Sequence, residues 1–227
     1  MQVIVIGAGV SGILAAIRLQ QYVPGVDLKI YEKNPALGGT WFENRYPGLA
    51  CDIPSHVYQY TFEHNTQWSS FFSGGPEILK YVQSVATKYK VEKYITYNSR
   101  ICEAVWDEEG GKWKVKVESE GEIKSEDCDV LFSASGVLNN WKWPDIAGLG
   151  DFKGKLLHSA QWDTEWYFTN NAVDLIVGII LESRLLLLDV VLRLFRFCQR
   201  CKRPAQRSTI TSAERRISVI PSEENSP

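Results

Sequence analysis

The sequence has 227 residues, enough for a domain with a buried core, and its 44% hydrophobic and 23% charged content is ordinary for a globular protein. A formal net charge of −2 argues against nucleic acid as the main partner, because phosphate binding requires clustered basic residues. Five cysteines, odd in number and mostly scattered, fit a reducing compartment better than a disulfide framework. Because the chain enters a glycine motif by residue 7 without a basic leader, we expect no signal peptide and a cytoplasmic protein.

Residue usage changes near residue 170. Every Trp, Tyr and His lies before that position, whereas eight of the nine basic residues after it are Arg. We therefore expect one nucleotide-binding domain over residues 1–165, an apolar helical segment over 166–203, and a polar disordered tail over 204–227.

The chain begins with the pattern of a strand, a glycine turn and a helix. Gln2–Ile6 is a β-branched run typical of a buried parallel strand, GAGVSG follows at residues 7–12, and ILAAIRLQQY indicates a helix. In this context GxGxxG predicts a dinucleotide site, whose pyrophosphate meets unpaired N–H groups at the start of the helix. Gly7 permits the tight turn, Gly9 lets the pyrophosphate approach the backbone, and Gly12 lets the helix pack closely on the strand. The other residues of the motif assigned to this site are Ala8, Val10 and Ser11.

A second strand, Asp27–Tyr31, leads into Glu32, twenty residues after Gly12. A carboxylate at this place can accept both hydroxyls of an adenosine ribose and would repel a 2′-phosphate, so NADP is not expected here. Lys33, the next residue, is assigned to the same site. A further glycine pair in NPALGGTW, residues 34–41, could bring backbone N–H groups to the phosphates of a longer cofactor, which favours FAD over NAD.

Two later segments carry a family resemblance. GGTWFENRYPGLACDIPSHVYQY, residues 38–60, resembles the segment that Baeyer–Villiger-type flavin-containing monooxygenases place under the isoalloxazine ring. FKGKLLHSAQWD, residues 152–163, fills every defined position of that family's fingerprint, FxGxxxHxxxW followed by Pro or Asp, with Phe152, Gly154, His158, Trp162 and Asp163. The resemblance covers residues 1–165. It implies an α/β fold, a Rossmann-like FAD-binding domain with a parallel sheet, helices and a small β-meander, incomplete and followed by a helical tail.

The resemblance also implies roles for single residues. The additional cofactor-binding positions that it implies are Gly39, Thr40, Trp41, Asp52, Tyr58, Ile101 and Gly136. Asp52 matches the family's acid beside the flavin, although from the residues alone it is equally a turn residue before Ile53. His158 would couple domain movement to turnover, packed beside Phe152 and Trp162; without the resemblance it is a satisfied polar residue in a loop. Asp52 and His158 are the two candidate catalytic residues.

The reaction implied by the resemblance transfers one oxygen atom from O₂ to a small organic molecule. NADPH would reduce FAD, and the oxygenated flavin would act on a ketone in a Baeyer–Villiger oxidation or on a heteroatom. The protein would supply geometry and exclude water from the site.

After the fingerprint the sequence departs from the family pattern. AVDLIVGII, residues 172–180, begins like a strand, but no second GxGxxG follows it. The site for NADPH as co-substrate is therefore largely absent, and the family's active-site Arg has no counterpart. We interpret the chain as an N-terminal part joined to an unrelated tail. It is an FAD-dependent, NADPH-using monooxygenase by descent or, alternatively, a truncated FAD-binding module or remnant without turnover.

The tail carries two further patterns. Apolar residues recur at helical spacing from Leu181 to Phe195, which predicts a helix packed on the core, with contact between residues 179–203 and a membrane surface as the weaker alternative. Charged residues within this run argue against a spanning helix. Cys198 and Cys201 form a lone CxxC without a second ligand pair, so no metal site is expected.

Overall fold

The computed structural model describes residues 1–144, 147–151, 155–164 and 175–178 of the chain. The helices are α1 (Val10–Tyr22), α2 (Thr40–Glu43) and α3 (Gly75–Lys88), and single 3₁₀ turns lie at Glu92–Tyr94 and Leu149–Asp151. The strands are β1 (Gln2–Ile6), β2 (Asp27–Tyr31), β3 (Ile95–Thr96), β4 (Ser99–Asp107), β5 (Lys112–Ser119), β6 (Glu122–Cys128), β7 (Val130–Ser133), β8 (Lys155–His158) and β9 (Leu175–Gly178).

A four-stranded parallel sheet forms the centre of the domain, in the order β3-β2-β1-β7. The first strand pairs with β2 on one side and with β7 on the other, so Val3 lies opposite both Leu28 and Val130. The predicted α/β fold with a parallel sheet is confirmed, and the two predicted strands coincide with β1 and β2.

The two faces of this sheet are covered by different elements. Because side chains alternate along a strand, Val3 and Val5 of β1 point to one face and Ile4 to the other. The first face packs against α1 and α3 in a cluster that includes Val3, Val5, Ile13, Ile17, Leu28, Ile30, Ile78, Val82 and Val85. On the second face, Ile4 and Tyr31 pack against the antiparallel strands through Val115, Val117 and Cys128. Each such aliphatic side chain contributes about 1.5–3 kcal/mol when fully buried.

The antiparallel strands form a separate sheet in the order β4-β5-β6, which confirms the β-meander implied by the resemblance. Val115 and Val117 of β5 are buried, whereas the alternating Lys114 and Lys116 are exposed, as expected for a sheet with one solvated face. A bulge between Ile101 and Glu103 interrupts the pairing of β4 with β5.

Helix α3 was not predicted. Its buried residues Ile78, Tyr81, Val82 and Val85 follow the i, i+3, i+4, i+7 spacing of an amphipathic helix, with a proline in the first turn. That spacing is the sequence signal that would have located it.

Near its C-terminal end the described chain contains a short two-stranded parallel sheet. Strand β8 pairs with β9, from Lys155 opposite Leu175 to His158 opposite Gly178. The strand-like start of AVDLIVGII is therefore confirmed at β9. The β-branched residues of this stretch favour an extended backbone, which pairs with β8.

Other predictions for this part of the chain lie outside the described residues. They concern Phe152 and Gly154 of the fingerprint, the apolar run from 181 to 195, the CxxC, and the tail after 204. In the part of the chain that the structure describes, no helix is both long and apolar enough to cross a membrane.

Candidate nucleotide-binding site

The glycine loop after β1 has a geometry that only glycine satisfies at two positions. Gly7 has a φ of +95°, and a Cβ there would lie 2.8 Å from the carbonyl oxygen of Ala134. A Cβ on Gly12 would lie only 1.9 Å from the carbonyl oxygen of Gly7, inside any permitted contact. The fold itself therefore requires Gly7 for the turn and Gly12 for the close packing of α1 on the loop.

Gly9 is not held by packing in this way. Its φ is −79°, and a Cβ there would lie 3.6 Å from Cα of Gly39, an ordinary contact. Gly39, in contrast, has a φ of +53°, and its Cβ would come within 3.0 Å of Cα of Gly9. The two glycine motifs thus meet backbone to backbone at this point.

A cavity of ≈ 530 Å³ opens where β1, β2 and β7 end. Gly7, Glu32 and Ala134, the first residues after these three strands, line the cavity. The cavity therefore lies at the carboxyl edge of the sheet, where nucleotides bind in parallel α/β folds. Twelve of the fifteen residues assigned to a cofactor line it: Gly7, Gly9, Val10, Ser11, Glu32, Lys33, Gly39, Thr40, Trp41, Tyr58, Ile101 and Gly136. No side chain caps the first turn of α1, so its N–H groups remain available to an anion in the cavity.

The other three assigned residues lie elsewhere. Ala8 and Gly12 are buried within the loop and shape it without lining the cavity. Asp52 is exposed and is not among the lining residues, so the structure does not bring it together with the glycine loop.

Glu32 is a buried acid, only 3% exposed, whose carboxylate is held by backbone and amide donors. Its Oε2 accepts a 2.7 Å hydrogen bond from the N–H of Ala8. Its Oε1 accepts two bonds from Asn34, one from the backbone N–H and one from Nδ2, each 2.9 Å long. Lys33 does not contact this carboxylate but forms a 2.8 Å ion pair with Glu43. Hydrogen bonds rather than a paired cation therefore satisfy the buried charge.

Trp41 and Tyr58 form an aromatic pair on the cavity wall. The indole Nε1 donates to the Tyr58 hydroxyl over 3.1 Å, and the rings meet edge to face with centroids 5.3 Å apart. Next to them, the hydroxyl of Tyr60 donates to the carbonyl of Val10 over 2.8 Å, which ties this loop to the start of α1. Burial raises the pKa of Tyr60 well above its ordinary value, so the phenol stays protonated.

Sequence reasoning missed part of the cavity wall. The unassigned lining residues with polar side chains are Asn34, Glu43, Ser99, Arg100, Ser135, Asn139 and Asn140. Five of them, namely Asn34, Glu43, Ser99, Arg100 and Ser135, lie within two residues of an assigned position, and Asn34 also opens the NPALGGTW segment. The segment 134–140 joins the wall because it directly follows β7 at the same sheet edge.

His158 lies apart from the cavity between two tryptophans. Its ring stacks on Trp141 at 4.4 Å and meets the edge of Trp143 at 5.5 Å. Trp162, the predicted neighbour, instead packs against the main hydrophobic cluster. Both Trp141 and Trp143 belong to the WKWP stretch that sequence reasoning left unassigned.

The histidine is 4% exposed, and this burial lowers its pKa, so the ring is neutral. Because Nδ1 accepts the N–H of Ala160 over 3.1 Å, the ring proton is on Nε2, which has no hydrogen-bond partner among the described residues. The same described residues contain no group of three or more His, Cys, Asp or Glu placed to hold a metal.

A glycine loop between β1 and α1, a buried acid after β2 and a cavity across the strand ends define a Rossmann-like nucleotide-binding domain. The family described as the NAD(P)-binding Rossmann-like domain matches residues 5–74.

Longer relatives specify the class further. The FAD-binding monooxygenase tazF of Aspergillus terreus is 46% identical over 178 residues, which are 78% of this chain and 32% of that protein. The Baeyer-Villiger monooxygenase of Streptomyces coelicolor is 37% identical over 177 residues, 78% of this chain and 33% of that protein. The solved structure of OTEMO in complex with FAD and NADP superimposes with a TM-score of 0.63 at 36% identity, covering 72% of this chain and 31% of that one.

The chain is therefore a relative of the FAD-binding monooxygenases, the Baeyer–Villiger type among them, and corresponds to their N-terminal part. It spans about a third of the length of the curated relatives that it matches.

Proposed function

We propose that this chain binds FAD in the cavity at the ends of β1, β2 and β7. The observation that carries the proposal is the contact between Gly9 and Gly39, since it brings two glycine motifs together into one continuous backbone surface. One GxGxxG holds the pyrophosphate of a dinucleotide at the helix start, and the adjoining second motif adds backbone surface for a longer cofactor such as FAD. The cavity volume of ≈ 530 Å³ is also within the range of cofactor sites.

Each wall of the cavity has a role in this proposal. The loop around Gly9 and the first turn of α1 hold the pyrophosphate, and Glu32 accepts a ribose hydroxyl. The backbone near Ile101 borders the adenine, while Trp41 and Tyr58 keep water from the cofactor. FAD fits these residues because packing does not require a glycine at position 9, and the missing side chain there leaves room for a pyrophosphate to approach the backbone.

The reaction proposed for the whole protein is oxygenation of a small organic molecule with O₂ and NADPH. Bound FAD supplies the oxygen activation, whether for a Baeyer–Villiger oxidation or for heteroatom oxygenation, while the residues of this chain bind and orient the cofactor. The names of the relatives support this class of reaction. Asp52 and His158 stay predictions as catalytic residues, and neither lines the cavity. The cytoplasmic location stays a prediction.

A second candidate is an FAD-binding module without turnover. The observation that favours it is that no second GxGxxG follows the fingerprint within these 227 residues. Binding and turnover therefore have to be tested apart.

The test is a fluorescence titration of the full 227-residue chain with FAD, followed by a visible spectrum after desalting. Retained yellow cofactor in equimolar amount is the expected result, and a colourless protein that also gives no titration signal overturns the proposal. Oxygen-dependent consumption of NADPH by the loaded protein then identifies an enzyme. Retained FAD without consumption identifies the binding module.

A further inference from the structure

Asn34 bridges two carboxylates at the wall of the cavity. Its side-chain nitrogen Nδ2 donates to Oε1 of Glu32 and to Oε1 of Glu43, both over 2.9 Å. Lys33 contacts the same oxygen of Glu43 at 2.8 Å. Because an amide nitrogen carries two protons, both donations of Asn34 are made at once and its orientation is fixed.

These contacts leave Glu32 with little remaining hydrogen-bonding capacity. A carboxylate oxygen has two acceptor positions, and both positions of Oε1 are taken by the backbone N–H and the Nδ2 of Asn34. Among the described residues, Oε2 accepts only the N–H of Ala8, so it keeps one acceptor position that no described group fills. Since Glu32 lines the cavity although it is 3% exposed, that position is the one that a ligand can reach.

We propose that Asn34 is a positioning residue that restricts Glu32 to a single ribose hydroxyl, which binds at Oε2. The inference rests on the proposed function and changes one expectation from the sequence, namely that this acid accepts both hydroxyls. The cluster of Lys33, Glu43 and Asn34 sets the orientation of the acid before any ligand binds. The preference among adenosine nucleotides therefore depends on a residue that itself need not touch them.

Deoxy nucleotides test this directly in the full-length chain. ADP, 2′-deoxy-ADP and 3′-deoxy-ADP are titrated against the wild type and against Asn34→Ala. In the wild type we expect one deoxy analogue to bind about tenfold or more weakly than ADP, the loss typical of a hydrogen bond to a charged group. The other analogue is expected to stay within about threefold of ADP, a difference close to thermal energy.

In Asn34→Ala the two backbone N–H bonds to Glu32 remain, but one acceptor position of Oε1 is released to the second hydroxyl, so we expect the ratio between the two analogues to fall towards one. FMN, which lacks the adenosine half, is expected to bind both proteins equally. Asn65→Ala, which changes an asparagine that does not line the cavity, is the matched control and should keep the wild-type ratio. Thermal unfolding of each variant shows whether a loss is structural only.

The outcomes separate this inference from the proposed function. Equal losses with both deoxy analogues in the wild type, or an unequal pair that Asn34→Ala leaves unchanged, overturn the role of Asn34. Failure of the wild type to bind FAD, FMN and ADP overturns the proposed function as well.

Discussion

The backbone N–H of Ala8 donates a 2.7 Å hydrogen bond to Oε2 of Glu32, and this bond joins the glycine loop to the end of β2. The loop is also held by the Gly7 N–H, which donates to the carbonyl of Tyr31 over 2.8 Å. Both sides of the cavity are thereby connected before any ligand enters. Glu32 therefore contributes to the fold and to the proposed site at once.

The substitution Glu32→Gln should lower the stability of the fold and weaken the binding of FAD. The amide has one accepting oxygen, so whichever way it turns, an NH₂ group faces an N–H donor of Ala8 or of Asn34. We expect the free energy of unfolding to fall by about 1–3 kcal/mol and FAD to bind about tenfold more weakly. Urea denaturation and fluorescence titration measure the two effects. The exposed Glu109→Gln is the control, and equal stability of the two variants would contradict the structural part.

Substitutions at two glycines of the loop should affect stability and FAD binding separately. Gly12→Ala places a Cβ 1.9 Å from the carbonyl oxygen of Gly7, so α1 has to move, at a cost of about 1–3 kcal/mol or more. Gly9→Ala makes only an ordinary 3.6 Å contact, so it should keep the wild-type stability while its methyl group lies where the pyrophosphate approaches. Unfolding curves and FAD titrations of both variants check this. The interpretation fails if Gly9→Ala is the less stable of the two.

Tyr58→Phe isolates the hydrogen bond from Trp41. The indole Nε1 loses its acceptor while the edge-to-face ring contact remains, so we expect a loss of about 1 kcal/mol in the free energy of unfolding. A shift in tryptophan fluorescence reports the change at the cavity wall. Tyr22→Phe, at a residue 73% exposed on α1, should change neither quantity.

His158 should make stability fall in mild acid. Burial lowers its pKa from the ordinary value of 6.5, so below about pH 6.5 the unfolded chain takes up a proton that the folded chain resists. The contribution is present above that pH and is lost as the pH falls, with a slope of at most about 1.4 kcal/mol per pH unit for one group. Denaturation between pH 5 and 8 should show a shallower pH dependence in His158→Gln than in the wild type.

Much of the fold follows from local patterns. The strands at Gln2–Ile6 and Asp27–Tyr31 coincide with the predicted ones because a β-branched run followed by glycines has few alternative structures. The same local pattern accounts for the cavity residues that follow the parallel strands β1, β2 and β7, namely Gly7, Gly9, Val10, Ser11, Glu32, Lys33 and Gly136. Helix α3 could also have been predicted from the sequence, because its apolar residues recur at helical spacing.

The amino-acid sequence alone determined the strand–glycine–helix unit, the acid after β2 and the relationship to the FAD-binding monooxygenases, because each depends on residues close together in the chain. Only the tertiary structure decided that Gly39 meets Gly9, that Trp141 and Trp143 enclose His158, and that Asp52 lies outside the cavity. It also decided that the N–H of Ala8 reaches Oε2 of Glu32. These contacts join segments that are far apart in the sequence. They depend on how the sheets and helices pack against each other, and no local sequence pattern specifies that packing.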